Sequence, residues 1–251
     1  MKKLHLLSSL LLLLVWSTSF TQSFSDEVYP FGNMPSNRSN SDALAVYNDW
    51  KSDYVTACSN GRFRVEFDQA SQTVSEGIGY GMILSAYAND KTLFDGLWKY
   101  YKSFTNQNGV MTWKINGCNG GLLGFNGATD AELDAAIALI VAYDKWGNGT
   151  VNYEQDAKNL IAAIKNHEIE QGSLVLKPGD AFGGSSLTNI SYYAPGYYRT
   201  YGTFTNDESF WNGVADKAYE VIEDNLRVNN AAGGLVSDWC NANGSPRNWQ
   251  S

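Results

Sequence analysis

The sequence predicts a single, mainly helical domain, and three observations carry that expectation. Apolar residues recur at helical spacing in about seven separate stretches. Strict strand alternation is confined to one short segment, 62–67. No strand-then-helix alternation runs along the chain, which disfavours a Rossmann or TIM-type sheet.

The elements follow in order. After a loop rich in Pro, Asn and Ser over 29–41, Asp42 opens a helical pattern carried by Val46, Tyr47, Trp50 and Tyr54. Phe63, Val65 and Phe67 lie on one side of the short strand. A second helix is expected over 76–88. Asp90 caps a third, whose apolar face is Leu93, Phe94, Leu97, Trp98, Tyr101 and Phe104. Residues 109–115 read as extended and 117–127 as a glycine-rich loop. Leu133, Ile137, Ile140 and Val141 then form a strong stripe that ends at Trp146 and the turn Asn148-Gly149. Leu160, Ile161 and Ile164 mark a helix stopping near His167, and another is expected over 192–201, around Pro195. Phe210, Trp211, Val214, Ala218, Val221 and Ile222 define the last.

Composition narrows the chemistry. The 251 residues are 43% hydrophobic and 18% charged, which suits a folded domain rather than a disordered tail. The net charge is −8, and no run of five Lys or Arg occurs, so neither a nucleic-acid nor a membrane partner is expected. Two histidines, His5 and His167, exclude a zinc site built from several His and leave a Ser-His-Asp triad only His167. Lys2 and Lys3, the apolar run 6–16 and the small polar residues behind it have the order of a secretory signal peptide, expected over 1–25. Its removal leaves 16 basic against 26 acidic residues. The mature protein, 26–251, is expected to be secreted, monomeric and free of cofactor or metal. Of Cys58, Cys118 and Cys240, two are expected to pair and one to stay a buried thiol, with the pairing open.

Two carboxylates stand out. Glu76 opens a Gly-rich helix beside Val74, Ile78 and Met82, and half-burial there raises a carboxyl toward the range of a general acid. Asp130 opens the strongest helix, with Glu132 and Asp134 close behind. The plainer readings are a Glu favoured by a helix dipole and an ordinary Asp cap. Gly77, Gly79 and Gly81 have the wrong spacing for a dinucleotide fingerprint and suit close approach of a helix or a substrate. Aromatics beside these segments, such as Trp113 and Tyr80, could stack on sugar rings, though most aromatics at helical spacing are core.

Five stretches together point further. Val74-Ser75-Glu76-Gly77-Ile78-Gly79-Tyr80-Gly81-Met82 resembles the acid-bearing motif of glycoside hydrolase family 8, and Ala128-Thr129-Asp130-Ala131-Glu132, running on to Trp146, resembles its second signature. Gly109-Val110-Met111-Thr112-Trp113, Ile190-Ser191-Tyr192-Tyr193-Ala194-Pro195 and Leu235-Val236-Ser237-Asp238-Trp239 fall in the family's order. The likeness covers about 29–243. It departs at Glu132, where the family usually carries Asp, and at Ala135, where it usually carries a larger aliphatic. It also lacks the downstream segment that bears the family's base.

The resemblance implies an all-α (α/α)6 barrel of helical hairpins, incomplete at its C-terminal side. It implies inverting hydrolysis of internal β-1,4 bonds in a polysaccharide, cellulose or β-glucan first, with xylan, lichenan and chitosan as alternatives. Glu76 would protonate the leaving oxygen, Asp130 would hold the sugar at the cleavage point, and Trp113, Tyr192 and Tyr80 would contact sugar. The base would lie beyond Ser251 or among Asp180, Asp207 and Asp238. A glycan-binding protein with a non-catalytic cleft is the reading from another class.

Overall fold

The computed structural model describes residues 22, 36–229 and 232–248. Apart from Gln22, the expected export signal lies outside the described residues, as does 29–35 of the expected loop. The described residues contain seven α-helices: α1 (Asn40–Tyr54), α2 (Ser75–Tyr87), α3 (Lys91–Ser103), α4 (Thr129–Trp146), α5 (Tyr153–His167), α6 (Pro195–Thr205) and α7 (Glu208–Asn229). Between them run three antiparallel strand pairs. β1 (Val55–Cys58) joins β2 (Arg62–Val65), β3 (Gln72–Val74) joins β4 (Lys114–Asn116), and β5 (Thr188–Asn189) joins β6 (Trp239–Cys240).

Local chemistry accounts for the helix ends. The Asp90 side chain accepts the Leu93 N–H at 3.2 Å, starting α3, while its other oxygen takes the Tyr47 hydroxyl at 2.8 Å and the Lys51 ammonium at 2.5 Å. One residue thus caps α3 and pins α1 to it. Asn152 caps α5 by accepting the Gln155 N–H at 3.1 Å. α6 begins at Pro195 rather than passing through it, and a 3-10 turn over Ile190–Tyr192 precedes it. The expected helix over 192–201 is corrected accordingly. Proline has no N–H to give to a helix interior and a φ that suits a helix start.

The helices pack as three hairpins, α2 with α3, α4 with α5 and α6 with α7, and α2, α4 and α6 lie side by side. This is an arc of the (α/α)6 barrel. The core lies between the layers, with Phe94, Leu97, Tyr101, Leu139, Ile164 and Trp211 fully or almost fully buried. The inner faces of α2, α4 and α6 line an open groove of Tyr87, Ile137, Ile140, Val141, Tyr197 and Phe204.

Sequence patterning leads to one short strand over 62–67 and an extended stretch over 109–115, and the described residues hold three strand pairs. The additional strands are two to four residues long, too short for alternation to register. Cys58 bridges Cys118, tying β1 to the glycine-rich loop, and Cys240 is the buried free thiol. No helix among the described residues is long and apolar enough to cross a membrane.

Candidate active site

Two helix starts meet at one place, and local backbone chemistry puts them there. β3 runs straight into α2, and the Ser75 N–H donates to the Trp113 carbonyl at 2.9 Å, so β4 holds the first turn of α2. Val74 offers no side-chain cap, and Glu76 occupies that turn. α4 also starts without a side-chain cap. Its entry is fixed instead by the Thr129 N–H on the Pro178 carbonyl at 3.2 Å and the Gly127 N–H on Asp180 Oδ1 at 2.8 Å.

Gly79 sets the distance between the two helices. A Cβ there would lie 3.0 Å from both the Ala131 carbonyl oxygen and the Asp134 Cβ. Any larger residue would push α2 away from α4 and Glu76 away from Asp130. Tyr80 and Asp134 follow Glu76 and Asp130 by four residues, so each shares the face of its predecessor.

Burial governs the charges here. Asp130 is pushed up to about 7, first by desolvation and then by the negative charge of Glu76. Desolvation also raises Glu76, against hydrogen bonds from its own backbone and from Ser75, whose hydroxyl lies 3.3 Å away. Asp134 rises to about 6 by burial, opposed by a hydrogen bond from Tyr197. A helix N-terminus favours a carboxylate by about 0.3–1 kcal/mol. The rise on Asp130 corresponds to roughly 4 kcal/mol the other way, so desolvation wins. Asp130 therefore titrates near neutral pH, in the field of the Glu76 charge.

Of the sequence-predicted residues, Glu76, Asp130, Tyr80 and Tyr192 come together. The phenol of Tyr80 lies in the field of Asp134, Asp130 and Glu76, and that of Tyr192 in the field of Asp130, Glu76 and Asp238. Tyr80 presents an exposed ring. Trp113 joins through its backbone. Its half-exposed indole stacks under the Lys114 ammonium, 5.6 Å from the ring centre, and a side chain at Gly124 would strike it.

The three base candidates separate. Asp180 is buried and saturated, accepting from Gly127 and, at 2.8 Å each, from the Asn106 and Asn108 amides, so it holds the entry to α4. Asp207 is ion-paired with Lys165 in a different hollow, beside Lys158 and Trp211. Asp238 is the one whose charge reaches Tyr192. Sequence reasoning left Asp134 without a role although its i+4 spacing from Asp130 was a usable signal. Tyr197 and Glu168 carry no local signal at all.

Comparison with known proteins decides the family. The profile of Glycosyl hydrolases family 8 matches residues 23–251. The chain belongs to glycosyl hydrolase family 8. It is 45% identical to Endoglucanase A of Acetivibrio thermocellus over 235 residues, covering 89% of this chain and 49% of that protein. It is 41% identical to Endoglucanase 2 of Ruminiclostridium josui, covering 93% and 54%. Among solved structures, the apo β-1,3-1,4-glucanase from Paenibacillus sp. X4 superposes with a TM-score of 0.77 at 28% identity, over 87% of this chain and 60% of that one. This family 8 chain therefore spans about half the length of the curated relatives it matches.

Proposed function

We propose that this family 8 chain is catalytic-domain sequence of an exported endo-β-1,4-glucanase that inverts the anomeric centre. The observation that carries the reading is the meeting of two half-buried carboxyls, Glu76 and Asp130, both raised by desolvation, between exposed and half-buried tyrosines. Glucan is favoured over xylan because the relatives at 41–45% identity are endoglucanases, whereas those named for xylose release share 24–26%. The export signal over 1–25 supports delivery to a polymer outside the cell. Residues 26–251 supply the catalytic part, and the protein works as a monomer without a cofactor.

In this reading Glu76 gives its proton to the glycosidic oxygen as the bond breaks, since burial keeps that carboxyl protonated above the usual range. Asp130 accepts a hydroxyl of the sugar at the cleavage point. Tyr80 and Trp113 offer flat faces to neighbouring sugars, and Tyr192 reaches toward Asp130. Inversion requires a base about 6.5–9.5 Å from the acid, with water between them. Asp180 and Asp207 are committed elsewhere. The family pattern puts the base downstream of the Asp238-Trp239 motif.

The test is hydrolysis of soluble β-1,4-glucan by the protein isolated from its source and by its Glu76→Gln variant. The variant is expected to lose at least about 100-fold in kcat while melting as the wild type does. NMR of the first product should show the α-anomer. A variant keeping most of its activity, or a β-anomer, overturns the assignment. Oligosaccharide binding with no hydrolysis by the source protein would favour the glycan-binding alternative.

A further inference from the structure

Behind Asp130, in the interior, sit two carboxyl groups that this reaction does not use. Glu132, in the first turn of α4, and Glu168, which caps the C-terminus of α5, are both 0% exposed. Glu132 Oε1 accepts the Tyr101 hydroxyl at 3.0 Å and the Met111 N–H at 3.1 Å. Glu132 Oε2 makes no hydrogen bond, and Glu168 and the buried Thr129 hydroxyl that faces it have no partner other than each other. Buried polar atoms are almost always paired, and a fully buried carboxylate without a donor is among the costliest exceptions.

One proton can balance these oxygens. A proton on Glu132 Oε2 turns that atom into a donor and gives Glu168 an acceptor's role. The Thr129 hydroxyl serves the second Glu168 oxygen. All four atoms are then matched, with one negative charge left on the pair.

We propose that Glu132 and Glu168 share a single proton and together act as positioning residues for Asp130, the charge they retain adding to burial and to Glu76 in raising the pH at which Asp130 ionises. The first half stands on the buried, unmatched oxygens and on the field of Glu168 at Glu132, and the functional half rests on the reading given above. The charged and titratable groups facing the pair are Tyr101 on α3, Asp130 on α4, Glu76 on α2, Tyr201 on α6, and Asp180 and Lys177 in the loop after α5. Lys177 is the cation among them. Its ammonium is held on the His167 carbonyl at 2.6 Å and the Asp180 carbonyl at 2.8 Å, so it tempers Glu168 without pairing with it. Burial raises both glutamates, and Glu168 raises Glu132 further.

Two measurements on the whole protein test this. Infrared spectra at pH 8, above the ionisation of Asp130 and Asp134, should show a protonated carboxyl band that Glu132→Gln removes. The Gln amide copies the protonated acid and donates the same bond, so that variant should melt within about 2 °C of wild type. Glu132→Leu leaves Glu168 without a donor and should melt at least about 10 °C lower or fail to fold. Absence of the band, or its persistence in Glu132→Gln, overturns the shared proton.

The second measurement is the 13C NMR titration of the Asp130 carboxyl, assigned with Asp130→Asn. Glu132→Gln keeps the pair's charge and should leave the midpoint in place. The double variant Glu132→Gln/Glu168→Gln removes the charge and should lower the midpoint. An unmoved midpoint overturns the link to Asp130. Loss of hydrolytic function in the wild type would instead refute the proposed reaction while leaving both spectroscopic results standing.

Discussion

Replacing Asp130 by Asn should make the protein more stable at alkaline pH, and the size of the gain follows from the site. The carboxyl's ordinary value is 3.8, and burial with the Glu76 charge lifts it to about 7 in the folded protein. A group raised on folding contributes stability that is complete below its unfolded value and is lost as pH climbs to the folded value. The loss for Asp130 therefore runs from about pH 4 to about pH 7 and is complete above. Three units at 1.36 kcal/mol each give roughly 4 kcal/mol. Asp134 and Glu76 ionise more easily once Asp130 is neutral, so about half of that, ~2 kcal/mol, is the fairer expectation. At roughly 2–4 °C per kcal/mol for a chain of this size, Asp130→Asn should melt about 4–8 °C above wild type at pH 8 and level with it at pH 4. Circular dichroism melts across that range read this directly. Parallel curves for the two proteins would refute the argument. A variant less stable at pH 8 would mean that the helix dipole, not desolvation, controls Asp130.

The remaining expectations are shorter. Cys58→Ser with Cys118→Ser opens a loop of 60 residues' separation and should cost up to about 4 kcal/mol, read as a fall in Tm of roughly 10 °C. The same pair should weaken glucan binding, because the bridge anchors the loop that closes over Trp113. Gly79→Ala should cost roughly 1–3 kcal/mol and lower kcat, because its Cβ meets the Ala131 carbonyl, which is backbone and cannot swing aside. Gly81→Ala meets only the side-chain ends of Leu97 and Val65 at 3.0 Å and serves as the milder control in the same denaturation series.

How much of this is legible without coordinates depends on how local the cause is. α3 is legible because its cap, Asp90, and its apolar face sit within one short stretch. α6 is misplaced by three residues because the tyrosines before Pro195 share its periodicity, and only the missing proline N–H says where the helix begins. β5 and β6 are invisible because two residues carry no pattern and their partner lies about fifty positions away. In the site, Glu76 and Asp130 stand out as motifs, and Asp134 by its i+4 spacing. Glu168 stands out by nothing: its charge bears on Glu132 because α5 folds back along α4, a matter of hairpin packing. The choice of Cys118 for Cys58 has the same origin, since β1 and the glycine-rich loop meet only in the assembled fold.

The order in which the two carboxyls take up and release a proton sharpens the proposed mechanism. Asp130 reaches about 7 beside the Glu76 charge, so before sugar binds it competes for a proton that an acid role needs on Glu76. A sugar hydroxyl donating to Asp130 resolves this, because a hydrogen bond to the charged form lowers that group's pKa. Asp130 then ionises, its new charge bears on Glu76, and the shared proton moves to the carboxyl facing the glycosidic oxygen. Substrate would thereby arm its own acid. A thio-linked cello-oligosaccharide, which binds without being cleaved, should lower the Asp130 midpoint and raise that of Glu76, both followed by 13C NMR of their carboxyl carbons. If the ligand binds and both midpoints rise together, burial of the pair is its only effect and the proton needs another route to Glu76.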